Sequence, residues 1–191
     1  MKKIIFTLLV TALSQLAFAQ YATPLTDYKI YPGSITKLDG SVVAGYILNR
    51  GVPENQNQIS FYTDKNAKTR KVYRPSDLQA FTIENNQFRS VPYSGSLKLG
   101  KADKHFVFVA SPGAITTYKY WGPEEQIFWQ KGNEEPVLSS SMIIAYKKNI
   151  SKLLGDYPAL LSRVEAKGKA YGMLNLDKIV QEYNSWAASK Q

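Results

Sequence analysis

Phosphate binding is the first chemistry to weigh, because Gly95-Ser96-Leu97-Lys98-Leu99-Gly100-Lys101 fits G-x-x-x-x-G-K, a loop whose backbone N–H groups can cradle phosphates. Ala102 follows, so the hydroxyl that would hold Mg²⁺ is missing. No buried parallel strand leads into the loop and no helical pattern follows before Phe106. The segment therefore reads as a flexible basic loop. His105 is the only histidine, and a nucleophilic dyad would need it as base, with Ser94, Ser96 or one of Ser139, Ser140 and Ser141 as nucleophile. None of these serines stands in a G-x-S-x-G elbow, and His105 alternates with Val107 and Val109, which places it on a strand face. With one His and no Cys, neither a zinc site nor thiol chemistry is expected. No catalytic residue and no cofactor is assigned.

Carboxylate pairs stand at Glu124-Glu125 and Glu134-Glu135. A glycosidase needs two carboxyls across a sugar, about 5–9 Å apart. Both pairs flank turn signals, Gly122-Pro123 and Pro136, where acidic side chains solvate a loop. A hydrolase acting on envelope or extracellular glycans stays as the alternative to a non-enzymatic binding or interaction module.

Charge is more informative. The chain has 24 Lys and Arg against 15 Asp and Glu, net +9. Residues 65–104 hold nine basic and three acidic side chains, net +6. Lys68, Arg70, Lys71 and Arg74 head that excess, with Lys68, Arg70 and Arg74 expected on one face of a strand. Such a face suits an acidic glycan or a lipid headgroup, and an unknown envelope protein is the other expected partner. The competing reading, and the preferred one, is an edge strand kept unpaired by its charges. Nucleic acid is not an expected partner, because no recognition helix or stacking motif accompanies the patch. Tyr118, Tyr120, Trp121, Phe128 and Trp129 gather on one expected hairpin. Exposed rings could stack on sugars, whereas packing into a core with cross-strand pairing is the more ordinary role.

The N-terminus gives the compartment. Met1-Lys2-Lys3, an apolar run from Ile4 to Leu16, and Ala17-Phe18-Ala19 make the three parts of a secretory signal peptide. Cleavage after Ala19 would leave 172 of the 191 residues, carrying 22 basic and 15 acidic side chains, net +7. No Cys follows the cut, so no lipid anchor is expected there, nor is a transmembrane segment after cleavage. Export to the periplasm, the envelope or the medium is the expected localisation. A cysteine-free exported chain must hold together by burial alone, which favours a bacterial envelope over a eukaryotic secretory pathway.

The elements that must position these groups fall into two parts: a β-rich stretch over 20–138 and a helical one over 139–191, co-folded as one domain. Strand patterns occupy Gly33 to Leu38 and Ser41 to Leu48 around the turn dipeptide Asp39-Gly40, expected as type I′. Others run from Gln58 to Thr63, Lys68 to Tyr73, Leu78 to Glu84 and Gln87 to Val91, the last two around Asn85-Asn86. His105 to Ala110 is apolar on both faces and is placed centrally. Ile115 to Trp121, Gln126 to Gln130 and Val137-Leu138 complete about eight or nine short strands, expected as an antiparallel sandwich or open barrel. Three amphipathic helices follow, packed on the sheet. Ile143, Tyr146, Ile150, Leu153 and Leu154 mark the first, behind the serine caps. The second carries Leu160, Leu161 and Val164 behind Asp156 as cap, and the third Leu176, Ile179, Val180, Tyr183 and Ala187 behind Asn175. The class is α+β.

Several segments together carry a likeness: Gly33-x-Ile35, Asp39-Gly40, Gly45-x-Ile47 and Tyr73-x-Pro75-x-Asp77-Leu78 in front, then Leu154-x-Asp156-Tyr157-Pro158-x-Leu160 and Ile179-Val180-x-x-Tyr183-Asn184 behind. The chain resembles uncharacterised exported β-rich proteins of Bacteroidota with a C-terminal helical segment. The resemblance implies that architecture and no activity, cofactor or catalytic residue. Asn184, polar beside a packed Tyr183, is expected to cap a helix or face solvent.

Overall fold

The computed structural model describes residues 24–93 and 103–190. The expected leader, the Gly95–Lys101 motif, Ser94 and Ser96 lie outside the described residues. The chain forms β1 (Lys29–Lys37), β2 (Val42–Asn49), α1 (Val52–Asn55), β3 (Ile59–Tyr62), β4 (Lys71–Tyr73), β5 (Leu78–Ile83), β6 (Asn86–Tyr93), β7 (Asp103–Ser111), β8 (Ile115–Trp121), β9 (Glu125–Lys131) and β10 (Val137–Leu138). Helices α2 (Ser139–Ile144), α3 (Tyr146–Leu154), α4 (Pro158–Leu174) and α5 (Leu176–Ala188) follow. The α+β class, strands first and helices last, is what the chain adopts. The ten strands among the described residues form one antiparallel sheet in the order β10-β9-β8-β7-β6-β5-β1-β2-β3-β4.

That sheet is far from flat. Tyr93 of β6 and Phe128 of β9 lie three strands apart, about 14 Å in a flat sheet, yet their rings stack at 5.4 Å. On the other face, the Phe106 N–H of β7 donates to the carbonyl of Gln56 at 2.9 Å, although Gln56 leads into β3, five places along. The sheet therefore curls one way over β6–β10 and the other way over β1–β7. Strand β7 serves both curves. Phe106 faces a core with Ile35, Ile47, Ile59, Phe81 and Phe88; Val107 and Val109 face a second core with Val91, Tyr93, Tyr118 and Phe128. This is why the strand is apolar on both sides.

Tight bending over β1 and β2 needs missing side chains. Gly33 faces Gly45 across the two strands, and a Cβ on Gly45 would come within 2.5 Å of the Phe61 ring and of the Tyr62 carbonyl. The Asp39-Gly40 hairpin forms, but only Gly40 is left-handed, at φ 83°, so it is not type I′. Gly40 N–H closes the turn on the Lys37 carbonyl at 3.0 Å, and Lys37 N–H meets the Ser41 carbonyl. The second hairpin turns one residue early, with Glu84 at φ 52° and Ile83 opposite Asn86.

Helices α2–α5 pack on β8–β10, joining Ile115, Trp129 and Val137 to Ile150, Leu154, Leu160, Val164 and Val180 in a third core. The first expected helix is two, broken at Ala145 (φ −123°, ψ 53°), and the turn sends Ile143 to solvent. The second runs on to Leu174 across a non-helical Gly168. Of the expected caps only Asn175 holds its N-cap position, before α5, and it makes no capping side-chain bond. Ser139, Ser140 and Ser141 lie inside α2, and Asn175 donates back to the Tyr171 carbonyl at 2.9 Å. Asp156 instead accepts from Lys131 Nζ at 2.6 Å and from the Tyr183 hydroxyl at 2.8 Å, tying β9 to the α3–α4 junction and α5. Burial pushes Asp156 up, but the bonds from Lys131 and Tyr183 outweigh it and hold its carboxyl below the usual range. Among the described residues no helix is long and apolar enough to cross a membrane.

Candidate functional site: the basic edge

Strand β4 is three residues long and, among the described residues, ends the sheet, paired on one side only, through Phe61–Lys71, Ser60–Val72 and Ile59–Tyr73. Its length follows from its partner, since β3 spans only Ile59–Tyr62. Lys68 and Arg70 therefore lie ahead of the strand, and the common strand face expected for Lys68, Arg70 and Arg74 does not form. All four cations are exposed. Lys71 Nζ sits 4.8 Å above the Tyr73 ring, a cation–π contact that fixes its direction. Beyond the strand, Asp77 turns the chain by accepting from the Arg74 N–H at 2.8 Å.

An open groove of about 650 Å³ separates this edge from the β1–β2 hairpin tip, lined by Lys37, Leu38, Asp39, Lys71, Val72 and Asp77 among others. Leu38 and Val72 leave about half their surface in water, 56% and 44%. Gln79 Nε2 holds the hairpin tip by donating to the Leu38 carbonyl at 2.8 Å. The groove thus offers apolar walls between Lys37 and Lys71, beside the run of Lys68, Arg70 and Arg74. Sequence reasoning singled out the cations but missed Lys37, Leu38 and Val72. The available signal was an apolar Leu38 directly against the Asp39-Gly40 turn, where no core can reach it.

The aromatic candidates do not join this site, and they divide between the two faces of the sheet. Tyr118 (1% exposed) is a core residue, stacked on Phe128 at 5.2 Å. Trp129 is buried on the opposite face, under the helices. Tyr120 packs on Tyr93 at 4.7 Å, and Trp121 on Phe108 at 5.9 Å. Ring-on-ring packing is what all but the buried Trp129 make here, with Tyr120 and Trp121 left part-exposed. The β8–β9 hairpin puts their alternating positions on two faces of the sheet.

His105 lies on the strand face expected for it, half-buried, with Tyr120 at 5.1 Å and Tyr93 at 6.5 Å. Its Nδ1 is buried without a hydrogen-bond partner among the described residues. Burial lowers its pKa, and the nearby Asp103 carboxylate opposes this only in part. The carboxylate pairs flank opposite ends of β9, whose seven residues span about 20 Å. Glu125 is engaged with Lys119 at 3.0 Å. Glutamates so far apart do not face each other across one sugar.

Comparison of the chain with protein-family models, with curated proteins and with solved structures found no match. The geometry alone must carry the functional reading.

Proposed function

We propose that this chain is an exported envelope protein that acts by binding, not catalysis, and that it takes an anionic glycan at the β4 edge. The observation that carries the reading is the groove: apolar Leu38 and Val72 between Lys37 and Lys71, open to solvent, beside three further exposed cations. Asp39 and Asp77 also line the groove, each accepting a backbone N–H, from Ser41 and Arg74, so the cationic excess comes from Lys68, Arg70 and Arg74 beside it. Pyranose rings present apolar faces as well as charges, and apolar walls next to that excess suit an acidic polysaccharide better than a bare anion. The lone His105, set among tyrosine rings, and the separated glutamates favour binding over hydrolysis. The kinship with exported Bacteroidota proteins rests on the sequence motifs alone, and a location outside the cytoplasm on the leader-like Met1–Ala19 segment. Because all ten strands belong to one curled array, we read the fold as an open barrel and not a two-sheet sandwich.

Heparin chromatography and glycan-array binding test the site. Reversing Lys68, Arg70, Lys71 and Arg74 to Glu should lower the eluting salt and abolish array binding. Reversing the exposed Lys29, Lys104, Lys178 and Lys190 should cost only the general effect of charge. Equal retention of the two variants would sink the glycan reading and leave β4 as a guarded edge. Cell fractionation tests export, and recovery of the protein solely from cytoplasm would overturn it.

A further inference from the structure

Among the described residues, four large apolar side chains are left in water at the C-terminal ends of α2 and α4, two helices that touch through Lys169 and Ile143: Ile143 (52% exposed), Ile144 (85%), Met173 (37%) and Leu174 (86%). Single exposed apolar residues are ordinary on a soluble surface; two adjacent pairs at the ends of touching helices are not. Two contacts hold the segments together. Lys169 Nζ donates to the Ile143 carbonyl at 2.6 Å, and Tyr146 lies so close to Gly172 that a Cβ there would collide with its hydroxyl. Between them runs a groove of about 380 Å³ lined by Ile144, Tyr146, Lys147, Lys148, Glu165 and Lys169. Met173 follows Lys169 by four residues in the helical stretch and so shares its face.

Residues 143–174 carry six basic and two acidic side chains. One of the acids, Asp156, is turned toward Lys131 and Tyr183, which leaves Glu165 against Lys147, Lys148 and Lys169 in the groove. Apolar side chains beside cations match the boundary of an anionic bilayer, where the former enter the acyl region and the latter meet phosphates. A soluble polyanion would leave Ile144 and Leu174 unused, and a neutral apolar protein face would leave the lysines unused. We propose that this helical end docks on an anionic membrane surface, with Ile144 and Leu174 entering the interface and Lys147, Lys148 and Lys169 contacting lipid phosphates. It lies with β8–β10, at the other end of the strand order from β4, and shares no residue with the glycan groove.

Co-sedimentation of the mature chain with vesicles tests this, using phosphatidylcholine alone and phosphatidylcholine mixed with phosphatidylglycerol. The wild type should bind the anionic vesicles only, and less well as salt rises. K147E/K148E/K169E should lower the partition coefficient about a hundred-fold, and I144S/L174S about ten-fold or more. All these side chains are exposed apart from the single Lys169 bond, and an unchanged circular dichroism spectrum confirms the fold. The Lys68–Arg74 reversal should leave vesicle binding intact, which separates this surface from the glycan site. Equal binding to both vesicle types, no binding to either, or wild-type sedimentation of either variant would overturn the proposal.

Discussion

The side chain of Gln56 is bonded to both backbone groups of Trp121: Nε2 donates to the Trp121 carbonyl at 2.8 Å, and Oε1 accepts from the Trp121 N–H at 2.6 Å. A glutamine amide thereby stands in for the peptide of a neighbouring strand. It does so where β7 and β8 part, their pairing being confined to residues 117–119 of β8. With the Phe106 N–H on its own carbonyl, Gln56 closes the curve of β1–β7. It is 1% exposed, so water cannot replace what it supplies.

Replacing Gln56 by Ala strands the part-buried N–H and carbonyl of Trp121, and should cost about 1–3 kcal/mol in urea unfolding. Gln56→Glu keeps the acceptor for Trp121 N–H but sets a carboxylate against its carbonyl. That variant should be at least as unstable at neutral pH and should recover part of the loss as acid protonates the new group. A urea midpoint within error of wild type for Gln56→Ala would show that the closure contributes nothing.

The other end of β8 is held the same way. Asn184 of α5 donates from Nδ2 to the Ile115 carbonyl at 2.9 Å and accepts the Ile115 N–H at 2.8 Å, neither a helix cap nor a solvent contact. Gly113 makes room for it, since a Cβ there would overlap the Asn184 amide. Asn184→Ala should lose about 2–3 kcal/mol. The two clamps sit about 20 Å apart along β8, so the Gln56→Ala/Asn184→Ala double variant should lose the sum of the single costs within about 0.5 kcal/mol. A large coupling energy would mean that the ends of β8 yield together.

What was legible in the chain was its periodicity. Strand β8 from Ile115 to Trp121, the Val137-Leu138 strand and the two-faced β7 follow from alternation, because burial of a pleated face imposes it. The helical stripes of Leu160 and Val164, and of Ile179, Val180 and Tyr183, follow likewise. What was not legible depends on partners distant in the chain. Gln56 sits in a run of amides, Asn55-Gln56-Asn57-Gln58, and nothing local distinguishes the one that reaches Trp121. Asp156 has a cap's local surroundings, yet Lys131 and Tyr183 claim it. Lys68 and Arg70 continue a strand pattern that stops when β3 runs out. Ile143 fits a helical stripe only if the helix passes unbroken through Ala145.

His105 predicts an acid-side loss of stability. Its folded pKa is lowered, mainly by burial among Tyr93 and Tyr120, below the ordinary value near 6.5. The unfolded chain therefore takes up the proton first, and stability is full above about pH 6.5 and falls as pH drops toward the lowered folded value. His105→Phe, which suits the same aromatic surroundings, should flatten the dependence of the urea midpoint between about pH 7 and 5. If the slope persists in this variant, another group carries it.

Asp156 acts in a lower window and with a partner. Its folded pKa is depressed, so its contribution is present above the unfolded value near 3.9 and is lost as pH falls through the folded one. Lys131 is the mirror case. Burial lowers its pKa, but the bond to Asp156 and the Tyr183 contact outweigh that and raise it, so its contribution disappears only as pH climbs through a value above the usual 10.4. The Asp156 carboxylate is about half exposed, so Asp156→Asn should cost only about 1 kcal/mol at neutral pH. The amide oxygen can still accept from Tyr183, which isolates the ionic part of the bond. Asp156→Asn should therefore narrow its deficit against wild type below about pH 4 and again under strongly alkaline conditions. Tyr183→Phe, which leaves Lys131 and Asp156 paired but removes the hydroxyl's share of both shifts, should keep both flanks of the wild-type profile in reduced form. Parallel pH profiles for wild type and Asp156→Asn would show that the cost lies in packing and not in charge.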